Sequence, residues 1–398
     1  MHSYKYLIVG GGMTADAAVR GIRELDEDAS IGMISSEQVP PYDRPPLTKA
    51  LWKGEAGKDD IWRGTDELSV DLHLERRVVT ANIDTKVAYD DQDGEYQYEK
   101  LLLATGGHPR TLPEDGGAVL YYRTYKDYER LRDELGPGTR CAVIGGGFIG
   151  SELAAALSIN DHDVTMVFPN KGIGGGIFPP DHAKFLNDYY RDHGVEVRTG
   201  ELVERVDKQD EGVKILLDTG EEFSADIGIA GLGIVPNTEL AEELGLEISD
   251  GIHVNKGLQT SNEDIFAAGD VAAFYNEALG KRLRVEHEDN ANTMGRIVGR
   301  SMAGDDVNYD YLPYFYSDLF DQGYEAVGDF DPSLEVLTIW QEPHEKGLIA
   351  YMDANELKGV VLWNVWGKVD AARELIASDR AITREDLQDR LLEDWIEA

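Results

Sequence analysis

The sequence of 398 residues predicts the α/β fold class, with two Rossmann-like three-layer nucleotide-binding units and a small α+β part at the C-terminal end. Two glycine-rich turns each lie between a hydrophobic strand pattern and a helical pattern, which predicts the two units. Strand-like runs and a closing amphipathic helix fill the last part of the chain. A chain of this length, 42% hydrophobic, is too long for one core, so several domains are expected.

The first unit begins with residues 4–12, "YKYLIVGGG", followed by the helical pattern "MTADAAVRGIREL" and the strand "SIGMIS". In this context Gly10 permits a tight turn, Gly12 lets the backbone approach a pyrophosphate, and Ala15 allows close packing of helix on strand. The positive end of the helix dipole then faces the phosphates. The second strand ends "MISSEQ", so Glu37 is predicted to bind the adenosine ribose.

The second unit repeats the pattern in "RCAVIGGGFIGSELAAALS", with Gly145, Gly147 and Gly150, followed by the strand "DVTMVF". Two such turns in correct strand–helix context imply that the chain binds two dinucleotides. "KLLLATGGHPR" is a strand that ends in Ala104-Thr105-Gly106, where the chain leaves one domain for another. "EDIFAAGDVAA" contains a strand that ends in Gly269-Asp270. Asp270 can there accept hydrogen bonds from a flavin ribityl chain or act through water on its pyrophosphate.

The order of these motifs resembles the two-dinucleotide-binding-domain flavoprotein family, the FAD/NAD(P) reductases related to glutathione reductase. Within that family, six segments resemble the apoptosis-inducing-factor and ferredoxin/rubredoxin-reductase branch: "PYDRPPLTKALW", "GGGFIGSE", "VFPNKG", "RVEHEDNA", "YSDLFDQGYEAVG" and "GVVLWN". The likeness therefore covers essentially the whole chain. It implies an FAD-binding domain over 1–111 and 237–305, an inserted NAD(P)H-binding domain over 112–236, and a C-terminal interface domain over 306–398.

The resemblance also implies roles for single residues. Lys49 is implied to lie near flavin N5 and to pair with Glu152, while Arg44 is implied to contact FAD. Phe148 resembles an aromatic gate for the nicotinamide. Lys49, Glu152, Phe148 and His287 are therefore the expected catalytic residues. The other flavin-facing or cofactor-binding residues expected from it are Glu286, His287, Tyr316 and Gly233.

Cysteine content limits the chemistry. Disulfide reductases need two cysteines, and a peroxidase of this fold needs one beside the flavin. Cys141 is the only cysteine, and its position in the strand before Gly145 predicts a small buried hydrophobe. Dithiol and sulfenic-acid chemistry and a Cys-pair metal site are thus excluded, and no metal is expected. Hydride transfer from NAD(P)H to flavin N5 remains, followed by electron transfer to an external acceptor.

The sequence leaves the choice of nicotinamide nucleotide open. Phe168 occupies the site where an acid commonly holds the ribose 2′-hydroxyl, and Asn170 stands where the resembled branch tends to have glutamate. Lys171 could pair with a 2′-phosphate, yet no arginine pair is present. The overall resemblance gives a slight lean to NADH.

The resemblance favours a ferredoxin or rubredoxin as the acceptor. Acidic carriers dock on basic patches, and a basic collar near the flavin-facing segment is predicted from Lys281, Arg282, Arg284, Arg296 and Arg300. Two alternatives stay open. One is an NADH-binding redox sensor with slow turnover, as in apoptosis-inducing factor, and the other is a diaphorase-like reductase of quinones or other small acceptors.

The composition and net charge indicate the conditions under which the protein works. Seventy-six acidic and 38 basic residues give a net charge of −38, which repels itself in dilute buffer and is screened by salt. This balance predicts adaptation to a high-salt cytoplasm and excludes nucleic acid as a partner. The N-terminus "MHSYKYLIVGGG" runs directly into a strand, and no apolar run approaches the roughly 20 residues of a membrane span, so a cytoplasmic protein is expected. Trp363 and Trp366, in one apolar run, make a homodimer plausible.

Overall fold

The computed structural model describes residues 1–331, 333–378 and 380–392. It divides the chain into two compact units. The first contains residues 1–44, 59–108 and 235–314, and the second contains residues 45–58, 109–234 and 315–398. The end of the predicted C-terminal domain, residues 393–398, lies outside the described residues. The longest described helix has 15 residues, and none in the described part of the chain is long and apolar enough to cross a membrane.

The α-helices of the described residues are, in chain order, α1 Met13–Arg23, α2 Ala50–Lys53, α3 Tyr125–Glu134, α4 Phe148–Ile159, α5 Pro180–Asp192, α6 Glu239–Glu243, α7 Glu288–Met302, α8 Val369–Ile376 and α9 Arg384–Leu391. The strands are β1 His2–Val9, β2 Ile31–Ile34, β3 Asp71–His73, β4 Val78–Asn82, β5 Val87–Asp90, β6 Glu95–Leu103, β7 Gly107–Pro109, β8 Val119–Tyr121, β9 Arg140–Ile144, β10 Asp163–Phe168, β11 Glu196–Thr199, β12 Val203–Lys208, β13 Val213–Leu217, β14 Glu222–Ala225, β15 Ile227–Ala230, β16 Ile234–Pro236, β17 Ile248–Ser249, β18 Gly251–His253, β19 Ile265–Ala267, β20 Ala272–Asn276, β21 Lys281–Arg284, β22 Tyr314–Leu319, β23 Gln322–Gly328, β24 Glu335–Glu342, β25 Lys346–Asp353 and β26 Glu356–Trp363.

The first unit is built on a sheet of order β3-β2-β1-β6-β5-β4, in which β19 also pairs with β6. β1 is parallel to β2 and β6, as in a Rossmann unit, and the strand faces are apolar because helices cover them. α1 and α7 pack closely through small residues. A Cβ at Gly295 would lie 2.6 Å from the Thr14 carbonyl oxygen, and one at Gly299 would lie 2.0 Å from that of Ala18. This packing holds α1 against α7.

The second unit contains the parallel sheet β11-β10-β9-β15-β8 and the antiparallel meander β12-β13-β14. Its C-terminal part is the antiparallel sheet β22-β23-β26-β25-β24, on which α8 packs. The predicted closing helix is present as α8, whereas the last apolar run ends as a strand at Trp363. Trp363 is fully buried, but Trp366 lies beyond the strand and is 52% exposed, so the two tryptophans do not share one environment.

An aromatic cluster joins α5 to the C-terminal sheet within the second unit. His182 is fully buried on α5, and its ring stacks on Trp340 and lies edge-on to Trp363. The His182 Nδ1 atom is 3.1 Å from Nδ1 of His344 in the β24–β25 turn. Burial, and then the charge of His344, lowers the pKa of His182 to about 3. His182 is therefore a neutral component of this core at ordinary pH.

Candidate functional site

The first glycine-rich turn joins β1 to α1. Gly10 has a φ of +129°, and a Cβ there would lie 2.1 Å from the Ala104 carbonyl oxygen, so the turn requires glycine. Gly12 precedes α1 with extended backbone, and within the described residues no side chain caps the helix. A Cβ at Gly12 would meet only the Arg44 Nη2 atom within 4 Å, at 3.9 Å. The first N–H groups of α1 thus face open space beside a guanidinium, as anion binding requires.

A charged cluster stands beside this helix end. Arg44 Nη2 donates to Glu37 Oε1 at 2.5 Å, and the Tyr42 hydroxyl donates to Glu37 Oε2 at 2.7 Å. Burial alone would lower the pKa of Arg44, but the charges of Tyr42, Glu37 and Asp270 raise it above its ordinary value. The predicted residues Glu37, Arg44 and Asp270 therefore lie in one electrostatic environment. Tyr42 is a member that sequence reasoning missed, although it lies two residues before Arg44.

The predicted Ala104-Thr105-Gly106 exit is held by Asn237. The Thr105 hydroxyl donates to the Asn237 carbonyl oxygen, and the Asn237 side-chain amide donates back to the Thr105 carbonyl, both at 2.8 Å. The backbone N–H of Asn237 also donates to Gly106 O at 3.0 Å. Elsewhere in the unit, a Cβ at Gly269 would lie 2.3 Å from Thr14 Oγ1, which brings the residue before Asp270 against α1. Ala15, on that helix, is fully buried as predicted.

Glu286 and His287 lie between β21 and α7. Glu286 Oε1 accepts from Arg284 Nη1 at 2.6 Å, and His287 is the N-cap residue of α7, its carbonyl oxygen accepting from the Ala291 N–H. The structure thus gives Glu286 an ion-pair partner and places His287 at a helix start.

The arginines of the predicted basic collar have acceptors within the first unit. Arg284 forms ion pairs with Asp250 and Glu286, and its side chain is 8% exposed. Arg282 donates to the Ala273 and Val254 carbonyl oxygens. Arg296 and Arg300 both pair with Glu24. The side chains of Arg296 and Arg300 are 62% and 39% exposed, and the docking role of the collar stays a prediction.

The second glycine-rich turn joins β9 to α4 in the second unit. Gly145 has a φ of +117°, and a Cβ there would lie 2.4 Å from the Gly231 carbonyl oxygen. Gly147 precedes α4 without a side-chain cap in the described part of the chain, and a Cβ there would meet nothing within 4 Å. A Cβ at Gly150 would lie 2.1 Å from Gly145 O. This turn also offers uncapped helix N–H groups to open space, so both turns fit a dinucleotide pyrophosphate.

The segment after β10 carries the predicted nucleotide-selecting residues. Phe168 ends β10 and is buried, and a Cβ at Gly146 would lie 2.7 Å from its ring. Asn170 and Lys171 follow with exposed side chains. Their backbone carbonyls are held by the Gly200 N–H and the Asn187 side chain, at 3.0 and 2.9 Å. Gly233, the other residue expected to bind cofactor, has a φ of +79° and accepts from the Arg110 N–H at 2.9 Å.

Lys49 and Glu152 form an ion pair in the second unit, as the resemblance implied. Lys49 Nζ lies 2.6 Å from Glu152 Oε1, and the two side chains are 12% and 4% exposed. Lys49 lies two residues after the proline-containing turn Pro45–Leu47 and is the N-cap residue of α2, so proline-fixed backbone precedes it. Lys49 Nζ also lies 5.2 Å from the centre of the Tyr316 ring, within cation–π range.

Two hydroxyl groups complete the Glu152 environment, and sequence reasoning missed both. The Thr48 hydroxyl donates to Glu152 Oε2 at 2.5 Å, and the Ser317 hydroxyl donates to Glu152 Oε1 at 2.7 Å. Both carboxylate oxygens are therefore hydrogen-bonded in a buried setting. Each residue adjoins one that was predicted, Lys49 or Tyr316, which is the only sequence signal for them. The Phe148 ring, one turn before Glu152 on α4, lies edge-on to the Phe315 ring with 5.0 Å between centroids.

The single thiol of the chain, that of Cys141, is unsuited to redox chemistry. Cys141 is 1% exposed in β9, and its described polar contact is a weak one to the Thr139 carbonyl oxygen at 3.7 Å. Burial, followed by the nearby charges of Asp226 and Asp163, raises the pKa of Cys141 to about 12. The prediction of a small buried hydrophobe is confirmed. A thiol kept protonated and buried is a poor nucleophile and cannot relay electrons alone.

Comparison with known proteins agrees with this geometry. A family model described as pyridine nucleotide-disulphide oxidoreductase matches residues 4–295. Apoptosis-inducing factor 1, mitochondrial, of Dictyostelium discoideum is 35% identical across 96% of this chain and 80% of its own length. Putidaredoxin reductase CamA of Pseudomonas putida is 32% identical across 81% of this chain and 79% of its own length.

Solved structures are similar over the same extent. The covalent putidaredoxin reductase–putidaredoxin complex matches with a TM-score of 0.92 and 27% identity, covering 100% of this chain and 99% of the other. The ferredoxin reductase for the CYP199A2 system from Rhodopseudomonas palustris matches with a TM-score of 0.89 and 26% identity, covering 99% and 98%. The predicted fold class and the predicted family resemblance are confirmed.

Proposed function

This chain belongs to the pyridine nucleotide-disulphide oxidoreductase family, and we propose that this FAD-dependent NAD(P)H oxidoreductase passes its electrons to a ferredoxin- or rubredoxin-type iron–sulfur carrier. The observation that carries the proposal is the single, buried Cys141. Because the chain has no cysteine pair, the disulfide chemistry in the family's name is closed to it, and an external acceptor is needed. The identity with putidaredoxin reductase supports an iron–sulfur carrier in that role.

Unit by unit, the residues fit the two cofactors. Bound FAD supplies the hydride-accepting and electron-releasing chemistry. In the first unit, the uncapped start of α1 after Gly12 would hold its pyrophosphate, with Arg44 adding positive charge beside it. Glu37 would accept from the adenosine ribose, and Asp270 from the ribityl chain. The remaining predicted FAD-binding residues of this unit are Gly10, Ala15, Ala104, Thr105, Gly106, Gly269, Glu286 and His287.

In the second unit, the uncapped start of α4 after Gly147 would hold the pyrophosphate of NAD(P)H. Phe148, half-buried at that helix start, would act as the gate that the nicotinamide displaces. Lys49 would present its ammonium to the flavin ring, held by Glu152 on one side and the Tyr316 ring on the other. We propose the domain boundaries 1–111 with 237–305, 112–236 and 306–398 for the FAD, NAD(P)H and interface domains.

We propose NADH as the preferred nucleotide. No arginine stands at positions 169–171 to bind a 2′-phosphate, and Lys171 alone offers a point charge rather than a bidentate contact. Asn170 can accept from a ribose 2′-hydroxyl through its side-chain oxygen. The test compares kcat/KM for NADH and NADPH in the native enzyme and in Lys171→Ala. A native preference for NADPH that is lost in Lys171→Ala would refute the proposal.

The acceptor is tested with the FAD-loaded enzyme, reduced by NADH without oxygen and mixed with a [2Fe–2S] ferredoxin, a rubredoxin or a quinone. The proposal expects one of the iron–sulfur proteins to be reduced at a rate that saturates with its concentration. Faster reduction of the quinone, with slow non-saturating reduction of both carriers, would instead support the reductase of small acceptors.

A second candidate function is slow redox sensing. The observation that favours it is the 35% identity with an apoptosis-inducing factor across 96% of this chain. The discriminating measurement is the absorbance spectrum after one equivalent of NADH in air. A long-wavelength band that lasts for many minutes supports sensing, whereas rapid return of the oxidised spectrum supports turnover.

We further propose that the protein works in a cytoplasm of high salt concentration and as a homodimer. The net charge of −38 supports the first, because salt relieves the repulsion among acidic residues. The exposed Trp366 supports the second, since exposed tryptophan is enriched at protein interfaces. Mass measured by light scattering at high salt checks the dimer, and a monomer at micromolar concentration would refute it.

A further inference from the structure

We propose that Thr48 and Ser317 are positioning residues for this oxidoreductase, which fix the Glu152 carboxylate and, through it, the direction of the Lys49 ammonium. The inference rests on the proposed function, because it takes the Lys49–Glu152 pair as the group presented to the flavin. It adds two hydroxyl groups to the machinery, one of them from the C-terminal sheet.

Each hydroxyl donates to a different oxygen of the Glu152 carboxylate. Thr48 Oγ1 lies 2.5 Å from Glu152 Oε2, and Ser317 Oγ lies 2.7 Å from Glu152 Oε1, the oxygen that also contacts Lys49 Nζ at 2.6 Å. With a donor on each oxygen, rotation of the carboxylate about its last bond would break at least one hydrogen bond. Hydrogen bonds to a charged acceptor are the strong ones in a protein interior. The carboxylate plane is therefore fixed.

The two hydroxyls differ in the other partners that the described residues offer them. Thr48 is 6% exposed, and its other acceptor is the Pro45 carbonyl oxygen at 3.4 Å, a much longer contact. Ser317 is fully buried, and its hydroxyl contacts the Tyr324 hydroxyl as well as Glu152 Oε1. Buried hydroxyls cannot exchange their partner for water, so Thr48 is held on Glu152, and Ser317 is held between Glu152 and Tyr324.

The arrangement links three distant parts of the chain. Thr48 and Lys49 are neighbours in one turn, Glu152 is on α4, and Tyr316 and Ser317 are neighbours on β22. The Tyr316 ring lies 5.2 Å from Lys49 Nζ while Ser317 holds the partner carboxylate. β22 therefore contacts both charges of the pair. Removal of a hydroxyl leaves the Glu152 charge less compensated, so the site becomes more negative and its ammonium less fixed.

The test measures the reduction potential of bound FAD in Thr48→Val and Ser317→Ala, with Thr48→Ser as the variant that keeps the hydroxyl. A more negative site opposes reduction. At a fixed ambient potential, we expect each deletion to lower the ratio of reduced to oxidised FAD about tenfold. This corresponds to a reduction potential lower by about 30 mV for a two-electron couple. The rate constant for flavin reduction by NADH should fall about tenfold, with the Kd for NADH within about twofold of the native value. Thr48→Ser should keep the native reduction potential and the native rate constant for flavin reduction.

Thr65→Val is the matched control, since it deletes a fully buried hydroxyl that donates to another buried carboxylate, Asp16, at 2.7 Å. It should lower the melting temperature and leave the potential unchanged. A readout without flavin is the urea unfolding of flavin-free protein. There the loss caused by Thr48→Val should largely disappear when Glu152→Gln is already present.

The possible outcomes are distinct. Native potential and native reduction rate in both deletion variants would overturn the positioning role, and so would an equal shift of the potential in Thr65→Val. If Lys49→Met shifts the potential while both deletions do not, the proposed function stands and this inference fails. If Lys49→Met also leaves the potential unchanged, the assignment of the pair to the flavin fails, and the inference fails with it.

Discussion

Replacing Lys49 by methionine removes the charge of the pair and keeps most of the apolar stem. At the observed separation of 2.6 Å and an effective dielectric constant of about 20, the Coulomb attraction between the two groups is about 6 kcal/mol. Much of it offsets the cost of burying both charges, so the pair itself adds less than this to stability. Removing one partner is different, because it leaves Glu152, only 4% exposed, as a buried charge without its cation.

Breaking a buried pair in this way costs about 3–5 kcal/mol. Thr48 and Ser317 still donate to the carboxylate, which places Lys49→Met at the lower end, about 3 kcal/mol. Adding Glu152→Gln removes the stranded charge, so we expect the double variant to recover most of the loss. The assay is urea unfolding of FAD-saturated protein followed by tryptophan fluorescence, at one fixed KCl concentration and with the slopes compared. A loss below about 1 kcal/mol for Lys49→Met, or a double variant less stable than the single one, would refute the reasoning.

Three other predictions concern the whole chain, one histidine and the lone thiol. The melting temperature should rise as KCl increases from about 0.1 to 3 M, because salt screens the net charge of −38, and a flat or falling curve would contradict adaptation to salt. The pKa of His182 is near 6.5 unfolded and lowered by burial to about 3 in the fold, so its contribution to stability is complete above pH 6.5 and is lost as pH falls toward 3. His182→Phe should therefore reduce the loss of unfolding free energy between pH 7 and pH 4.5 by about 3 kcal/mol, and urea midpoints that fall with pH as steeply as the native ones would contradict this. Cys141→Ala should keep NADH oxidation within about twofold of the native rate, since a buried thiol is inert, and loss of turnover in a folded variant would show that the thiol is used.

Sequence reasoning did well wherever the constraint was local. The two glycine turns were predictable because strand, turn and helix follow one another within a few residues and the backbone at Gly10 and Gly145 has no room for a side chain. The buried state of Cys141 followed from its place in a strand of apolar residues. In such cases the physical cause and its signature lie in the same short segment.

Contacts between distant segments could not be predicted from the sequence. Thr48 and Ser317 stand 104 and 165 residues from Glu152, and no periodicity or motif connects them, so only folding shows that both donate to its carboxylate. The partners of the collar arginines are another case, because the charge of Arg284 is visible in the sequence but the position of Asp250 beside it is not.

The sequence by itself determined the fold class, the two dinucleotide turns and the exclusion of dithiol chemistry, because each depends on residue type and short-range order. The tertiary structure decided which charges remain available. It left Lys49 and Glu152 as a pair with both carboxylate oxygens hydrogen-bonded, and it placed Asp250 beside Arg284 and Glu24 beside Arg296. The physical reason is that the energy of a charge depends on its burial and its neighbours, and both are set by how distant segments pack.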